Sequence, residues 1–216
     1  MKLMGVPLSP FVRKVAVVMA IKGLEYEAQP VMPGDASEAF RALSPLGKIP
    51  VLVDGDFSVA DSSAICEYLE EKYPQHSVMP QGAENRARAR FLEEIGDTRL
   101  VETAAIIFVE KFANPMFFGK EADPERAAQA EHELLPPYLD YLESQVPPEG
   151  YLFGDFTTAD ISIVTPIFNA AYGGYSVDAA RWPKYAAFVD RVAEHPAVIQ
   201  VREAEQQFVT AMASSS

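Results

Sequence analysis

The feature that most constrains the fold is the order of hydrophobic patterns in the first 73 residues. Short apolar or alternating runs, which are typical of strands, are interspersed with stretches that repeat apolar residues every three to four positions, as helices do. The runs with strand character are residues 2–5, 26–31, 50–54 and 57–60. The stretches with helical character are residues 10–22, 36–43 and 62–73. The predicted order is strand, helix, strand, helix, strand, strand, helix.

The ends of these segments carry residues that suit the assignment. Ser9 and Pro10 are typical of a helix start, because serine caps free N–H groups and proline is tolerated in the first turn. Asp54-Gly55 is a turn signal that predicts a hairpin between the third and fourth strands. A strand–helix–strand unit followed by a hairpin and a helix is the order of a thioredoxin-like domain. We predict such a domain for residues 1–75.

The second half of the chain shows helical periodicity only. Residues 76–83 contain Pro80 and Gly82 but no apolar period, which predicts a linker. The helical patterns beyond it are residues 84–112, 125–145, 158–171, 184–194 and 197–208. The predicted fold class is an α/β thioredoxin-like N-terminal domain plus an all-α C-terminal helical domain over residues 84–210. Residues 211–216 end in three serines and are predicted to be a disordered tail.

Charge and composition argue against several classes of function. The 216 residues include 31 acidic and 18 basic ones, giving a net charge of −13 without a basic stripe, so we expect no binding to nucleic acid. No apolar run approaches the roughly 20 residues of a membrane-spanning helix, and no signal-peptide pattern opens the chain. We therefore expect a cytoplasmic protein that does not associate with membranes. Cys66 is the only cysteine, which excludes an internal disulfide and a cysteine-rich zinc site.

Motifs of hydrolytic enzymes are incomplete. His132-Glu133 begins like a His-Glu-x-x-His zinc motif, but Pro136 stands where the second histidine belongs. No Gly-x-Ser-x-Gly motif surrounds a serine, so a serine hydrolase has little support. We expect no metal cofactor.

Three short blocks in the first domain carry a resemblance to a known family. They are Ser9-Pro-Phe-Val-Arg-Lys-Val15, Pro45-Leu-Gly-Lys-Ile-Pro-Val-Leu52, and Asp61-Ser-Ser-Ala-Ile65 followed by Tyr68-Leu69. In this order, and followed by helices that include Gly154-Asp-Phe-Thr-Thr-Ala-Asp160, they resemble the cytosolic glutathione transferases. The resemblance extends from residue 2 to about residue 208. The first block is similar to the serine-type members, and the chain resembles a bacterial member with a phi-, tau- or zeta-like pattern.

The resemblance implies that Ser9 stabilises the thiolate of bound glutathione, the co-substrate of this family. A free thiol has a pKa of about 8.5 and is mostly protonated at neutral pH. The Ser9 hydroxyl can donate a hydrogen bond to the sulfur, and the positive end of the helix that it opens acts in the same direction. In the alternative interpretation Ser9 is only a helix N-cap, and the two roles are compatible.

The other two blocks are implied to hold the tripeptide. Lys48 is placed toward the glycyl carboxylate, and the backbone of Ile49, before a cis bond to Pro50, pairs with the tripeptide like an added strand. Asp61 is placed against the γ-glutamyl ammonium group, and Ser62 at a helix N-terminus against the γ-glutamyl carboxylate. The family more often has Glu or Gln at the position of Asp61. In the structural alternative, Asp61 and Ser62 only cap a helix, and Pro50 is an ordinary trans proline.

The leading functional hypothesis is conjugation of glutathione to a small hydrophobic electrophile, as in detoxification, and the resemblance implies a homodimer. Two alternatives stay open: a non-catalytic binding or regulatory protein with this fold, and a glutathione-dependent disulfide reductase or peroxidase. Pro33-Gly-Asp-Ala-Ser37 lacks the basic residues of plant-type relatives, which favours a binding protein, whereas Ser9 favours an enzyme. With a net charge of −13, we expect modest glutathione affinity unless Lys48, Arg13 and helix ends supply positive potential. The aromatic residues expected near a second substrate are Phe11, Phe108, Phe112, Phe117, Tyr172 and Tyr175.

Overall fold

The structure is a computed structural model that describes residues 1–214 of the chain. The chain forms two compact units. The N-terminal unit contains Met1–Met79 together with the C-terminal helix, and the helical unit is Pro80–His195. The sequence pattern assigns residues 84–210 to one helical domain, whereas the structure groups the last helix with the N-terminal unit. The physical reason is that this helix packs on the first helix and shares a buried ion pair with it.

A sheet of four strands runs through the described part of the N-terminal unit. The strands are β1 Lys2–Met4, β2 Glu27–Gln29, β3 Val51–Asp54 and β4 Phe57–Ala60. Their order across the sheet is β2-β1-β3-β4. β1 and β2 are parallel, and β3 is antiparallel to both β1 and β4. Gly55, with a φ of +63°, lies in the turn between β3 and β4 that the Asp54-Gly55 signal predicts.

Helices make up most of the remaining chain. In chain order they are α1 Pro10–Ile21, α2 Glu38–Leu43, α3 Ser62–Lys72, α4 Ala83–Ile95, α5 Val101–Phe108, α6 Pro124–Gln129, α7 Pro136–Gln145, α8 Thr158–Ser162, α9 Thr165–Tyr172, α10 Pro183–Ala193 and α11 Pro196–Ala213. Segments with π-helical hydrogen bonding continue α4, α5 and α6, and they are Gly96–Leu100, Val109–Phe118 and Ala130–Leu134. The predicted fold class, a thioredoxin-like domain plus a helical domain, is confirmed.

The core of the N-terminal unit lies where α1 and α3 contact the sheet. Val15 and Met19, one turn apart on α1, are fully buried. They belong to the same apolar cluster as Leu52 of β3 and Ile65 and Leu69 of α3. Burying a side chain of this size contributes roughly 1.5–3 kcal/mol, so this cluster fixes α1 against the sheet. The position of Ser9, which opens α1, depends on that packing.

Prolines shape the helical unit. The patterns over residues 125–145 and 158–171 each predict one helix, but the structure interrupts both. The first run breaks at Leu135, directly before Pro136, and the second breaks between α8 and α9, where Pro166 lies in the first turn of α9. Proline has no N–H to continue the ladder and clashes with the preceding turn, so a regular helix does not pass through these positions.

The end of the chain is more ordered than its composition predicts. α11 continues to Ala213, and the N–H of Ser214 donates to the C=O of Thr210 at 3.1 Å. Residues 211–213 are therefore helical rather than disordered, because they extend a helix that is already packed. Residues 215–216 of the predicted tail lie outside the described residues. Within residues 1–214, no helix has the length and apolar character needed to cross a membrane.

Candidate active site

Three strand ends lie in one row at the same end of the sheet. Met4, the last residue of β1, pairs with Val51, the first residue of β3. Val51 in turn pairs with Ala60, the last residue of β4. Because neighbouring strands are about 4.8 Å apart, these three backbone positions span only about 10 Å. The first block begins five residues after Met4, the second contains Val51, and the third begins directly after Ala60, so the sheet brings all three blocks to one end.

Ser9 reaches this end through the loop that follows β1. It is the N-cap of α1, with φ −70° and ψ 127°, and its side chain is half-buried. The N–H of Val12 donates to Ser9 Oγ at 3.4 Å, and the N–H of Arg13 donates to the Ser9 C=O at 2.9 Å. In the described chain no hydrogen bond uses the Ser9 hydroxyl as a donor. The cap therefore uses an oxygen lone pair and leaves the proton available to a ligand.

The loop before Ser9 needs glycine at one position. Gly5 has a φ of +144°, which side chains of L-residues rarely adopt. A Cβ atom there would lie 2.6 Å from Val12 Cγ2 and 3.2 Å from Ile49 Cβ. Gly5 thus allows the start of α1 and the segment before β3 to approach the end of β1.

The second block supplies a free stretch of backbone. The Ile49–Pro50 bond is cis, as the resemblance implies. Within residues 1–214, neither the N–H nor the C=O of Ile49 forms a hydrogen bond, although its side chain is buried. The adjacent backbone is held by Ser44, whose hydroxyl donates to the Lys48 C=O at 2.7 Å and accepts from the Lys48 N–H at 3.0 Å. The Lys48 side chain itself is exposed.

The third block begins at a residue with unusual backbone geometry. Asp61 has a φ of +85°, a region that few residues other than glycine adopt. Its Oδ1 atom caps α3 by accepting from the N–H groups of Ser63 at 3.0 Å and Ala64 at 3.1 Å. Asp61 Oδ2 has no hydrogen-bond partner in the described part of the chain, and Asp61 is exposed. Ser62, the first residue of α3, is only 4% exposed.

Arg13, one of the groups that could supply positive potential to the predicted glutathione site, is paired with a carboxylate. Its side chain is fully buried and forms two hydrogen bonds with the Glu205 carboxylate of α11. The two opposite charges largely cancel at a distance. Other sources of positive potential near the predicted glutathione site are Lys48, the Lys14 ammonium group at the start of α3, and the N-termini of α1 and α3.

Sequence patterns do not reveal two residues that support the site. Lys14 is fully buried, and its ammonium group donates to Ser63 Oγ at 3.1 Å, which links α1 to the start of α3. Ser44 fixes the backbone of Lys48 through its two hydrogen bonds. A lysine in a helix pattern is typical of an exposed face, and a serine after a short helix is typical of a turn, so neither carries a distinguishing signal.

The expected aromatic residues are divided between the two units. Phe11 belongs to the N-terminal unit, and the others belong to the helical unit. Phe112 is the centre of a ring cluster, with ring centroids 4.9 Å from Tyr172, 5.5 Å from Phe108 and 5.5 Å from Phe117. Tyr175 instead lines a separate cavity with Trp182. Burial, with the nearby Glu131 and Asp178 carboxylates, raises the pKa of Tyr175 to about 12.

Comparison with known proteins identifies the family. The families described as "Glutathione S-transferase, N-terminal domain" and "Glutathione S-transferase, C-terminal domain" match residues 3–77 and 108–204. Maleylacetoacetate isomerase from Pseudomonas aeruginosa is 31% identical over 203 residues, covering 89% of this chain and 91% of that protein. Glutathione S-transferase 3 from Zea mays is 32% identical, covering 91% of this chain and 90% of that protein.

A solved structure agrees with both relatives. The crystal structure of a glutathione S-transferase from Rhodospirillum rubrum F11 matches with a TM-score of 0.82 and 30% identity. The match covers 93% of this chain and 90% of that one. The domain matches, the fold and the relatives therefore all indicate one family. It is the family that the blocks around Ser9, Pro50 and Asp61 resemble. The chain is an enzyme of the glutathione S-transferase family.

Proposed function

We propose that the chain conjugates the glutathione thiolate to a small hydrophobic electrophile. The observation that carries this proposal is the state of the Ser9 hydroxyl, which caps α1 as an acceptor and keeps its proton for a ligand. A hydrogen bond from Ser9 to the glutathione sulfur favours the thiolate over the thiol. The N-terminal end of α1 favours the same negative charge. Ser9 acts by electrostatic stabilisation and forms no covalent bond.

The remaining site residues are proposed to hold the tripeptide. The free N–H and C=O of Ile49 pair with the glutathione backbone, as an edge strand pairs with an added one. The γ-glutamyl carboxylate lies at the N-terminus of α3 beside Ser62, and the ammonium group of the same residue binds Asp61 Oδ2. Lys48 faces the glycyl carboxylate as a point charge.

The reaction needs no other cofactor than glutathione as co-substrate. The thiol loses its proton to solvent, and the sulfur attacks an electrophilic carbon. A carbon–sulfur bond forms while the leaving group departs with its electron pair, or while an activated double bond takes up the electrons and then a proton. Stabilising the thiolate raises the fraction of bound glutathione that can react at neutral pH.

A second candidate is glutathione-dependent isomerisation. It is favoured by the 31% identity, over 89% of this chain, to a protein named maleylacetoacetate isomerase. In that reaction the thiolate adds to a double bond conjugated with a carbonyl group, the new single bond rotates, and elimination releases both the isomer and glutathione. Ser9 has the same role in both reactions, and only the fate of the thioether differs.

We also propose that the enzyme is a homodimer. Large apolar side chains are exposed on the N-terminal unit at Leu46, which is 77% exposed, and at Phe57, which is 46% exposed. The Phe57 ring stacks on Tyr68 with centroids 4.6 Å apart, so it is held in a fixed orientation. On the helical unit, Phe91 is 56% exposed. A second copy of the chain would remove such side chains from water.

The proposal is tested by assaying purified protein with glutathione and four substrates: an aryl halide, a small disulfide, a hydroperoxide and a cis-configured conjugated diketone acid. We expect saturable dependence on glutathione and a thioether product from the aryl halide. Isomerisation of the last substrate without consumption of glutathione would establish the second candidate instead. Glutathione oxidation with only the disulfide or hydroperoxide would establish a reductase or peroxidase. Saturable binding without turnover of any substrate would leave a binding protein.

A further inference from the structure

A buried ion pair joins the helix of Ser9 to the last helix of the chain. Arg13 of α1 donates through Nε to Glu205 Oε2 at 2.7 Å and through an Nη atom to Oε1 at 2.6 Å. The two residues are 192 positions apart in the sequence. Their side chains are 0% and 1% exposed. The carboxylate and guanidinium planes thus meet through two parallel hydrogen bonds, away from water.

Such a pair is better suited to fixing geometry than to supplying stability. Removing two charges from water costs about as much as their attraction returns, so a buried ion pair often adds little net stability over an apolar pair of the same size. The two-pronged contact, however, fixes both the distance and the plane of the guanidinium group. The contact therefore sets where this part of α1 lies relative to α11.

The part of α1 that is fixed is the turn that begins at Ser9. The N–H of Arg13 donates to the Ser9 C=O at 2.9 Å, which closes the first turn of the helix. The N–H of Val12, the residue before Arg13, donates to Ser9 Oγ at 3.4 Å. Any displacement of Arg13 is thus transmitted to both the backbone and the hydroxyl of Ser9.

The next residue holds the same turn from another side. Lys14 is fully buried and donates to Ser63 Oγ at 3.1 Å. The N–H of Ser63 donates to Asp61 Oδ1 at 3.0 Å. The two consecutive cations of α1 therefore connect the first turn to α11 and to the start of α3.

We propose that Glu205 is a positioning residue for Ser9, acting through Arg13. The carboxylate holds the guanidinium group, the guanidinium group holds the first turn of α1, and the first turn aims the Ser9 hydroxyl at the glutathione sulfur. The inference rests on the proposed function, because it concerns the bond between Ser9 and the thiolate. It assigns to the C-terminal helix a part in the chemistry of the N-terminal unit.

A positioning role and a purely electrostatic role predict opposite effects of Glu205→Gln. This variant removes a negative charge from the neighbourhood of α1. If Glu205 acted only through its field, the bound thiolate would become more stable and the pKa of the bound thiol would fall. If Glu205 positions Ser9, the hydrogen bond to sulfur weakens and that pKa rises.

A matched control exists at the other end of α1. Lys22, the C-cap of α1, is buried and donates to Glu70 Oε2 at 2.7 Å. Glu70→Gln therefore breaks a comparable ion pair of the same helix in the same unit, but far along α1 from Ser9. Both substitutions are expected to lower the thermal midpoint. Only Glu205→Gln is expected to change the thiol.

The experiment measures the ultraviolet thiolate absorbance of bound glutathione against pH, together with kcat and KM, for the wild type and both variants. All measurements are made well below the melting temperature of each protein. For Glu205→Gln we expect the pKa of the bound thiol to rise by about one unit and kcat at low pH to fall about tenfold. We expect the KM for glutathione to change less than about threefold, because the groups proposed to hold the tripeptide are intact. Glu70→Gln is expected to match the wild type in all three quantities.

Several results would overturn the inference. They are an unchanged or lowered thiol pKa in Glu205→Gln, or an equal change in Glu70→Gln. If Glu205→Gln does not fold, Arg13→Lys, which keeps the charge but loses the two-pronged contact, is measured in the same way and must raise the pKa. A wild type that binds no glutathione would overturn both this inference and the proposed function. A wild type that binds glutathione as thiolate, with Glu205→Gln indistinguishable from it, would overturn the inference alone.

Discussion

The Asp160 carboxylate accepts hydrogen bonds from both the backbone N–H and the hydroxyl of Thr157, at 2.7 and 2.6 Å, while lying fully inside the helical unit. A third hydrogen bond comes from the N–H of Leu152 at 2.8 Å. Together Thr157 and Asp160 form a capping box at the start of α8. Burial raises the pKa of Asp160 to about 6 from an ordinary value of 3.8, against the effect of these hydrogen bonds.

The raised pKa of Asp160 predicts a pH dependence of stability with a definite sign. The folded chain holds this proton more tightly than the unfolded chain, so folding loses stability as the pH rises from about 4 to about 6. The loss at neutral pH amounts to about 3 kcal/mol for this carboxyl. We predict that Asp160→Asn, which cannot ionise, removes that slope. The check is the free energy of unfolding of both proteins by urea between pH 4 and pH 7.5.

The difference between the two proteins isolates Asp160 from other carboxyl groups. Burial raises the pKa of Glu70, but hydrogen bonds from Lys22, Ser77 and Val78 together bring it below its ordinary value. A hydrogen bond from Trp182 lowers the pKa of Asp140. Their contribution to the free energy of unfolding is lost as the pH falls, and this loss is the same in the wild type and in Asp160→Asn. A difference between wild type and Asp160→Asn that stays constant over the whole pH range would contradict the prediction.

At position 96 of the helical unit there is no room for a side chain. A Cβ atom at this position would lie 2.4 Å from the Ser162 carbonyl oxygen and 2.6 Å from its carbonyl carbon. Both are backbone atoms of α8, so they cannot move without shifting the helix. We predict that Gly96→Ala lowers the free energy of unfolding by about 3 kcal/mol, although alanine favours helices more than glycine does.

Gly150 provides the control for this prediction. It lies in the same unit at a φ of +71°, with open space around its position. Gly150→Ala is expected to cost only about 1–2 kcal/mol, from backbone strain alone. Urea unfolding measures the free energy of unfolding of both variants, and a Gly96→Ala protein as stable as Gly150→Ala would show that Gly96 and the Ser162 backbone do not approach closely.

Asp61→Asn separates the role of this residue in capping α3 from its proposed role in binding glutathione. Asparagine tolerates a positive φ and can still accept from the N–H groups of Ser63 and Ala64, so we expect stability within about 0.5 kcal/mol of the wild type. It has no negative charge for the γ-glutamyl ammonium group. We predict that its affinity for glutathione, measured by calorimetric titration, is weaker by about tenfold or more. Unchanged affinity would remove Asp61 from the site.

Phe57→Ser tests the proposed dimer. If a second copy covers Phe57, its removal is expected to raise the dimer dissociation constant by at least about tenfold, as for a central interface residue. Analytical ultracentrifugation over a concentration series measures that constant. Ile199→Ser, at a 44% exposed position on α11, is the control and is expected to behave as the wild type. The same constant for all three proteins would place the interface elsewhere.

The order of strands and helices in the N-terminal unit could be predicted because each is marked by local patterns. Ser9 with Pro10, Asp54-Gly55 and the apolar stripe of α1 all depend on residues within one or two turns of each other. The helices of the second half lie where the apolar periods of the sequence indicate them, but breaks next to Pro136 and Pro166 divide two of the predicted helices. Neither interruption changes the class of fold, because the flanking helices keep their apolar faces.

The supporting contacts of the site could not be predicted in the same way. Nothing in the local pattern distinguishes Arg13 from an exposed cation, because its partner Glu205 is 192 residues away. The left-handed backbone of Asp61 is also invisible in sequence, since aspartate before a helix usually caps it in an extended conformation. Long-range pairing and backbone geometry depend on the assembled unit rather than on neighbouring residues.

The most direct test of the account is the pKa of the glutathione thiol when bound to wild type and to Ser9→Ala, followed by thiolate absorbance. Alanine at the cap also costs about 1 kcal/mol of stability, so binding is measured in parallel by calorimetry. We predict that both proteins bind glutathione and that the pKa of the bound thiol is below 8.5 in wild type and about one to two units higher in Ser9→Ala. The same pKa in both proteins would contradict the role of Ser9.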